Sequence, residues 1–120
     1  MLLLRRYDNF IDGAAAFGQK TTIGPGCIVG NKTRIGDKCN VKRSVVGNGC
    51  TIGNRVHVSN SILMDGVTVG DGCTVSGCVV AIGAVIEASA SLRDCNVCEK
   101  HVVASGEEIR SETLKPKDWR

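Results

Sequence analysis

An aliphatic residue recurs along almost the whole of this sequence, at intervals of six residues that are interrupted at regular points by an interval of five. Neither interval keeps a residue on one face of an α-helix, which turns about every 3.6 residues, so an α-helix is excluded. The series has eighteen members, all aliphatic except one phenylalanine. They are Ile11, Phe17, Ile23, Val29, Ile35, Val41, Val46, Ile52, Val58, Leu63, Val69, Val75, Val80, Ile86, Leu92, Val97, Val103 and Ile109.

The five-residue intervals follow Val41, Val58, Val75 and Leu92, which are 17 positions apart. The chain therefore has a longer period of six, six and five residues. Three short flat segments joined by corners would form one triangular coil, and successive coils would stack at the spacing of neighbouring β-strands, about 4.8 Å. The sequence predicts an all-β protein, a parallel β-helix of about six coils over residues 11–110, with the shortened side always on the same face.

The residue types within each six-residue unit agree with this geometry. In segments such as "IGDKCN" and "VGNGCT", an aliphatic residue is followed by Gly, two turn formers, a small residue and a polar one. Gly and Asn tolerate the backbone angles that tight corners need. Only 3% of the residues are aromatic and none lies between Phe17 and Trp119, so the predicted core is narrow. The fifth position is also expected to point inward, where only small side chains fit: Thr21, Cys27, Thr33, Cys39, Cys50, Val56, Val67, Cys73, Ala84 and Ala90.

The two ends of the chain lack the repeat. Residues 1–10, "MLLLRRYDNF", are expected to form a cap or the remnant of a preceding domain, and residues 111–120 a polar tail. The "MLLL" segment is too short for the core of a signal peptide, and no stretch approaches the roughly 18 apolar residues of a membrane span. Seven cysteines without a secretory signal favour reduced thiols and a cytoplasmic location.

The motif Cys95-x-x-Cys98-x-x-His101, with Cys78 one coil below Cys95, has the residue types and short spacing of a zinc site. The repeat argues against that function, because Cys95 and Cys78 share a corner, Cys98 belongs to another column and His101 takes an inward position. Such ligands would point in different directions, so no metal site is predicted, and a reducing compartment disfavours a Cys78–Cys95 disulfide. The other interior cysteines are interpreted as small core residues: Cys27, Cys39, Cys50 and Cys73.

Basic residues are concentrated in the first half of the chain. Residues 1–60 hold nine Lys/Arg and three Asp, whereas residues 61–120 hold six Lys/Arg and nine acidic residues. This asymmetry indicates that the two ends meet different partners. The basic cluster is predicted to contact an acidic protein surface or phosphate-rich RNA, with a solvated outer face as the alternative; no aromatic residues interleave, so sequence-specific nucleic-acid binding is not expected. Its residues are Lys32, Arg34, Lys38, Lys42, Arg43 and Arg55, and Arg55 is expected to stack above Lys38 because it follows one full period later.

The six-residue units resemble the hexapeptide-repeat family, which implies that the β-helix is left-handed. Many members of that family are acyltransferases that bind coenzyme A and use a His general base on a loop protruding from the prism. Only His57 and His101 are available here, and His57 falls in an outward column with Asn40, Thr74 and Ser91. No coil between residues 29 and 109 carries an insertion, so no catalytic residue and no cofactor are predicted.

Two longer stretches, "IGDKCNVKRSVVGNGCTIGNRVHVSNSILMDGVTVGDGCTV" and "VVAIGAVIEASASLRDCNV", are similar to the C-terminal domain of the gamma-subunit family of eukaryotic translation initiation factor two B. The resemblance implies a non-enzymatic scaffold in a guanine-nucleotide exchange factor. Its partners would be the epsilon subunit, the other subunits of that complex and initiation factor two. Three alternatives remain open: the epsilon subunit itself, the C-terminal domain of a sugar-nucleotide pyrophosphorylase of the GDP-mannose type, and a hexapeptide-repeat acyltransferase.

Overall fold

A computed structural model describes residues 10–11, 15–24 and 26–114. Within these residues the chain forms 19 short β-strands, numbered β1 to β19 in chain order, and no helix. The strands make three sheets, in which every pairing is parallel and each strand pairs with those three before and three after it. Each coil contributes one strand to each sheet, so the prediction of an all-β parallel helix of about six coils is confirmed.

The bounds of the strands are as follows. Sheet A contains β1 (Phe10–Ile11), β4 (Ile28–Val29), β7 (Val45–Val46), β10 (Ile62–Leu63), β13 (Val79–Val80), β16 (Asn96–Val97) and β19 (Thr113–Leu114). Sheet B contains β2 (Ala16–Phe17), β5 (Arg34–Ile35), β8 (Thr51–Ile52), β11 (Thr68–Val69), β14 (Val85–Ile86) and β17 (Val102–Val103). Sheet C contains β3 (Thr22–Ile23), β6 (Asn40–Lys42), β9 (His57–Ser59), β12 (Thr74–Ser76), β15 (Ser91–Arg93) and β18 (Glu108–Arg110).

The pairing register reproduces the period of the sequence. Phe10 pairs with Ile28, whereas Ile28 pairs with Val45, an offset that is one residue shorter and that continues up the prism. The first coil is therefore built from three six-residue units. In every later coil the side from sheet C to sheet A is one residue shorter, as predicted. Because the short side is always the same one, inward residues stay aligned from coil to coil.

The core consists of the predicted aliphatic series and lies along the axis of the prism. In each two-residue strand the second side chain points inward: Leu63 is 0% exposed, whereas its neighbour Ile62 is 44% exposed. Most of the series is buried, and Phe17 and Ile109 are half-buried near the two ends. The side chain of Ile11 lies outside the described part of the chain. Of the small residues at the fifth position, all are buried except Thr21, which is half-buried.

The corners between sheets use backbone conformations with positive φ. At the corner between sheets B and C, φ is 58° at Lys38, 57° at Arg55 and 72° at Gly72. Gly and Asn were expected at such positions, but among the described residues Lys, Arg, Ser and Asp adopt positive φ as well, and ten non-glycine residues do so in all. A left-handed conformation costs a non-glycine residue roughly 1–2 kcal/mol. The regular stacking of the coils therefore holds these residues in a conformation that they do not favour alone.

Side chains at the corners also connect one coil to the next. The backbone N–H of Asp37 donates to Oδ1 of Asn54 at 2.8 Å, and the N–H of Asn54 donates to Oδ1 of Asp71 at 2.8 Å. These bonds satisfy corner N–H groups that have no partner within their own turn. Asn and Asp are thus selected at corners for their oxygen atom as well as for their backbone preference.

The described strands extend from Phe10 to Leu114, four residues beyond the predicted end of the β-helix at residue 110. Leu114 packs against the core cluster and Thr113 pairs with Asn96. The predicted N-terminal cap (residues 1–10, apart from the backbone of Phe10) and most of the predicted polar tail (111–120) lie outside the described residues.

Candidate protein-interaction surfaces

The outward face of sheet C is polar and carries the exposed His57. The register aligns Asn40, His57, Thr74, Ser91 and Glu108 in one column, as the sequence predicted for the first four. Near the upper end of this face, a shallow open depression is lined by Ser91, Arg93, Glu108, Ile109 and Arg110. His57 lies two coils below that depression, so the structure does not bring it together with these charged groups.

The cysteines of the zinc-like motif lie in two different columns. The N–H of Cys78 donates to Oγ of Ser61 at 3.1 Å, and the N–H of Cys95 donates to Sγ of Cys78 at 3.5 Å, so these residues form the predicted corner ladder. Cys98 is half-buried in another column, and all three thiols are free. Across residues 10–11, 15–24 and 26–114, no group of three or more His, Cys, Asp or Glu has an arrangement that would hold a metal ion.

The interior cysteines act as hydrogen-bond donors. The thiol of Cys39 donates to the carbonyl of Gly53 at 3.0 Å, and that of Cys50 to the carbonyl of Met64 at 3.0 Å. Thr33 makes the equivalent bond through its hydroxyl to Gly47 O. The prediction that these cysteines are small buried residues is confirmed, and the structure adds a polar function that the apolar interpretation missed.

Burial also lowers the reactivity of these thiols. Removal from water raises the pKa of Cys39, Cys50, Cys73 and Cys78, and hydrogen bonds to the backbone only partly offset this effect. A thiol with a raised pKa is a poor nucleophile, because the thiolate is the reactive form. The geometry therefore assigns these residues to the core and not to chemistry.

The six basic residues of the predicted contact surface are distributed around the prism. Lys38 and Arg55 are stacked at the corner between sheets B and C, as expected, and Arg34 faces outward from neighbouring sheet B. The other three lie elsewhere: Lys32 is at the corner between sheets A and B, Lys42 faces outward from sheet C, and Arg43 is at the corner between sheets C and A. The structure thus stacks only Lys38 and Arg55 of these six residues, and the contact function of the cluster stays a prediction.

An exposed apolar column on sheet A was missed by the sequence reasoning. Ile28 is 49%, Val45 37% and Ile62 44% exposed, and the register stacks them directly, with half-buried Val79 above Ile62. Each lies immediately before an inward residue. The available signal was the aliphatic pair that recurs once in each full period, as "IV", "VV", "IL" and "VV". This column, Ile28, Val45, Ile62 and Val79, is called the sheet A strip below.

No helix in the part of the chain that the structure describes is long and apolar enough to span a membrane.

The triangular coils, the aliphatic six-residue units and the polar corners together define a left-handed parallel β-helix of the hexapeptide-repeat type. Residues 6–113 match the family described as the EIF2B subunit epsilon LbH domain, and the chain belongs to that family. No curated protein matches the chain. The similarity to initiation factor two B is therefore confirmed at the level of the domain family.

Solved structures with the same fold include bacterial acetyltransferases. The acetyltransferase domain of PglB from Neisseria gonorrhoeae FA1090 is 15% identical over 86% of this chain and 51% of that chain, with a TM-score of 0.82. PerB from Caulobacter crescentus, solved with CoA and GDP-perosamine, is 22% identical over 80% of this chain and 48% of that chain, with a TM-score of 0.74. This chain thus spans about half the length of these proteins. At such low identity the likeness establishes the fold alone.

Proposed function

We propose that this chain is a non-catalytic assembly domain of an initiation factor two B-type guanine-nucleotide exchange factor. The family match over residues 6–113 is the observation that carries this proposal. Within such a factor the domain would hold other subunits in place, and the exchange chemistry would reside in a different domain. The proposed location is the cytosol.

The regularity of the prism supports a scaffold function. From Val29 to Leu114 every described coil closes in one full period, and none of these coils carries an inserted loop. Each strand is hydrogen-bonded to the coils above and below, so the faces of the prism are rigid. Rigid faces present side chains at fixed spacings, which lowers the entropic cost of forming a protein interface.

The finer assignment is to the gamma subunit, with the epsilon subunit as the direct partner and the remaining subunits and initiation factor two as further partners. It rests on the two stretches within residues 35–75 and 79–97 that resemble gamma subunits. The family match itself names the epsilon domain. An epsilon-type origin is therefore the nearest alternative. In that case the direct partner would be a gamma subunit, and the scaffold function would be unchanged.

Sedimentation velocity of this chain, alone and mixed with an epsilon subunit, tests the proposal. We expect the two to sediment together at moderate salt. A mixture that sediments as two separate species, together with equal failure of a gamma subunit to bind, would contradict an assembly function for this domain.

The same assay tests the basic residues. The variant Lys38→Glu/Arg55→Glu reverses two stacked charges at the corner between sheets B and C, and it is expected to weaken partner binding and its salt dependence. Arg93→Glu/Arg110→Glu, on sheet C, is the matched control because it changes the net charge equally. Equal effects of the two double variants would indicate a general charge effect, and unchanged binding by the first would show that the basic corner is only solvated.

Acetyl transfer is the second candidate function, because solved acetyltransferases share this fold and the described chain carries an exposed histidine, His57. His57, exposed on sheet C, would then be the side chain to test as a general base. Isothermal titration with acetyl-coenzyme A discriminates the two functions. Binding by the native chain, with acetyl transfer that His57→Ala abolishes, would replace the scaffold proposal with an enzymatic one.

A further inference from the structure

Sheet A differs from the other two faces of the prism because it lacks charge. Its five central segments, residues 28–30, 45–47, 62–64, 79–81 and 96–98, contain no charged residue. Sheet C carries exposed Lys42, Arg93 and Arg110, and sheet B carries exposed Arg34. The sheet A strip is flat and made of side chains that are costly to leave in water. A face of this composition is typical of a surface that another protein covers.

The two edges of sheet A carry charged residues, and at the edge next to sheet C the sign of the charge changes along the prism from Arg43 to Asp94. At the lower coils Lys32 and Arg43 are exposed on either side of the sheet. At the β16 level Asp94 and Glu99 are exposed on either side, with Lys100 next to Glu99. The lower part of the face thus has basic edges and the upper part carries an acidic residue at each edge.

We propose that sheet A is a self-association face, on which a second copy of this chain packs with its axis antiparallel. A twofold axis between β10 and β13 would place Ile62 against Val79 of the partner subunit. The same axis brings Arg43, at the level of β7, opposite Asp94 of the partner subunit, at the level of β16. Each ion pair then occurs twice, as an isologous interface requires.

A parallel arrangement of the two copies would leave Arg43 without a carboxylate partner. It would place Arg43 against Asn48 and Gly49 of the partner subunit, and Asp94 against Glu99 and Lys100 of the partner subunit. The antiparallel arrangement instead pairs each Arg43 with Asp94 of the partner subunit, and opposite charges favour association. Its apolar contact is between Ile62 and Val79, whereas Val45 and Ile28 lie against Asn96 and Thr113 of the partner subunit.

The small size of the face indicates a weak dimer. Six strands spaced by about 4.8 Å and roughly three residues wide give a contact about 29 Å long and about 10 Å wide. That is on the order of 300 Å² per copy, below the roughly 800 Å² of a standard stable interface. The expected dimer is therefore weak, with a dissociation constant in the high micromolar range that increases with salt concentration.

Sedimentation equilibrium of the full chain, from micromolar to near-millimolar concentration and at low and high salt, tests this inference. The native chain is expected to dimerise, and Ile62→Glu to sediment as a monomer throughout. Thr68→Glu is the matched control, because Thr68 faces outward in the same coil but from sheet B. A native chain that stays monomeric, or a dimer that Ile62→Glu leaves intact, would overturn the inference.

A charge swap tests the antiparallel arrangement without relying on the apolar strip. Arg43→Asp and Asp94→Arg should each weaken the dimer about tenfold, and the double variant should restore it. Both positions have a similar backbone, with φ of 50° and 54°, and the native fold already accepts Arg at one and Asp at the other. Additive weakening in the double variant would refute the arrangement.

Self-association and the proposed assembly function can be tested separately. Self-association goes beyond the assembly function, because the partner here is an identical chain. A native monomer that binds an epsilon subunit would refute self-association and leave the proposed function standing. A native dimer that ignores both epsilon and gamma subunits would support the face and refute the function.

Discussion

Substitution of Gly36 by Ala tests whether the close stacking of coils selects glycine after the strands. Gly36 follows β5 and lies directly under the next coil. A Cβ atom at this position would be 2.7 Å from the carbonyl oxygen and 2.8 Å from the carbonyl carbon of Gly53, and closer still to Oδ1 of Asn54. Real Cβ atoms essentially never approach other atoms so closely, so one coil must move away from the other.

The expected cost combines two effects. Overpacking against a backbone that is held by hydrogen bonds on both sides costs about 1–3 kcal/mol. Displacement of the Asn54 side chain also weakens the bond that its Oδ1 accepts from the N–H of Asp37, worth about 1 kcal/mol. The sum is about 3 kcal/mol, which corresponds to a melting temperature roughly 10 °C lower for a domain of this size.

Gly49→Ala is the matched control, measured by the same thermal and urea unfolding. Gly49 has a φ of 67°, but a Cβ there would meet no atom within 4 Å. Its substitution should cost only the left-handed backbone penalty, about 1 kcal/mol. If Gly36→Ala is no more destabilising than Gly49→Ala, close stacking does not explain the glycine after the strand.

The remaining predictions concern the core. Leu63→Ala should lower the free energy of unfolding by about 2–5 kcal/mol, whereas Ile62→Ala, in the same strand but exposed, should cost less than about 1 kcal/mol; urea unfolding compares them. Cys50→Thr should be tolerated within about 1 kcal/mol, because a hydroxyl can replace the thiol as donor to Met64 O as it does at Thr33; a loss as large as that of Leu63→Ala would contradict the donor role. In the native chain only Cys98 should react rapidly with a thiol reagent, and all seven cysteines should react in denaturant. Because the folded pKa values of Cys39, Cys50, Cys73 and Cys78 are raised, the unfolded thiols lose protons first, so stability should fall as the pH rises above about 8.5, and a flat profile would contradict the burial effect.

The sequence predicted the parts of the molecule that depend on one period. Ile52 and Val69 are buried because each is the inward residue of its unit, and no contact outside the repeat decides this. Even the outward column that contains His57 could be predicted by counting residues along the repeat. The interior thiols were placed correctly but understood incompletely, because a hydrogen bond from Cys39 to Gly53 O joins residues whose distance depends on how the coils stack.

Surfaces could be predicted only in part. Lys38 and Arg55 are separated by one full period and stack as expected, since equivalent positions of neighbouring coils lie one above the other. Lys32 and Arg43 are closer in sequence to Lys38 than Arg55 is, yet they lie at the other two corners of the prism. In a triangular coil, nearness along the chain places residues around the prism, whereas residues one period apart stack on the same side.

The sequence by itself determined the coil: its length, its inward residues, its shortened side and the number of times it repeats. These properties follow from local spacing, because the inward residues recur at the same intervals in every coil. Only the tertiary structure decided how exposed each outward residue is and which corner backbones adopt positive φ. It also revealed that sheet A has no charge across its central segments. Those properties depend on stacking several coils, so they belong to no single unit of the sequence.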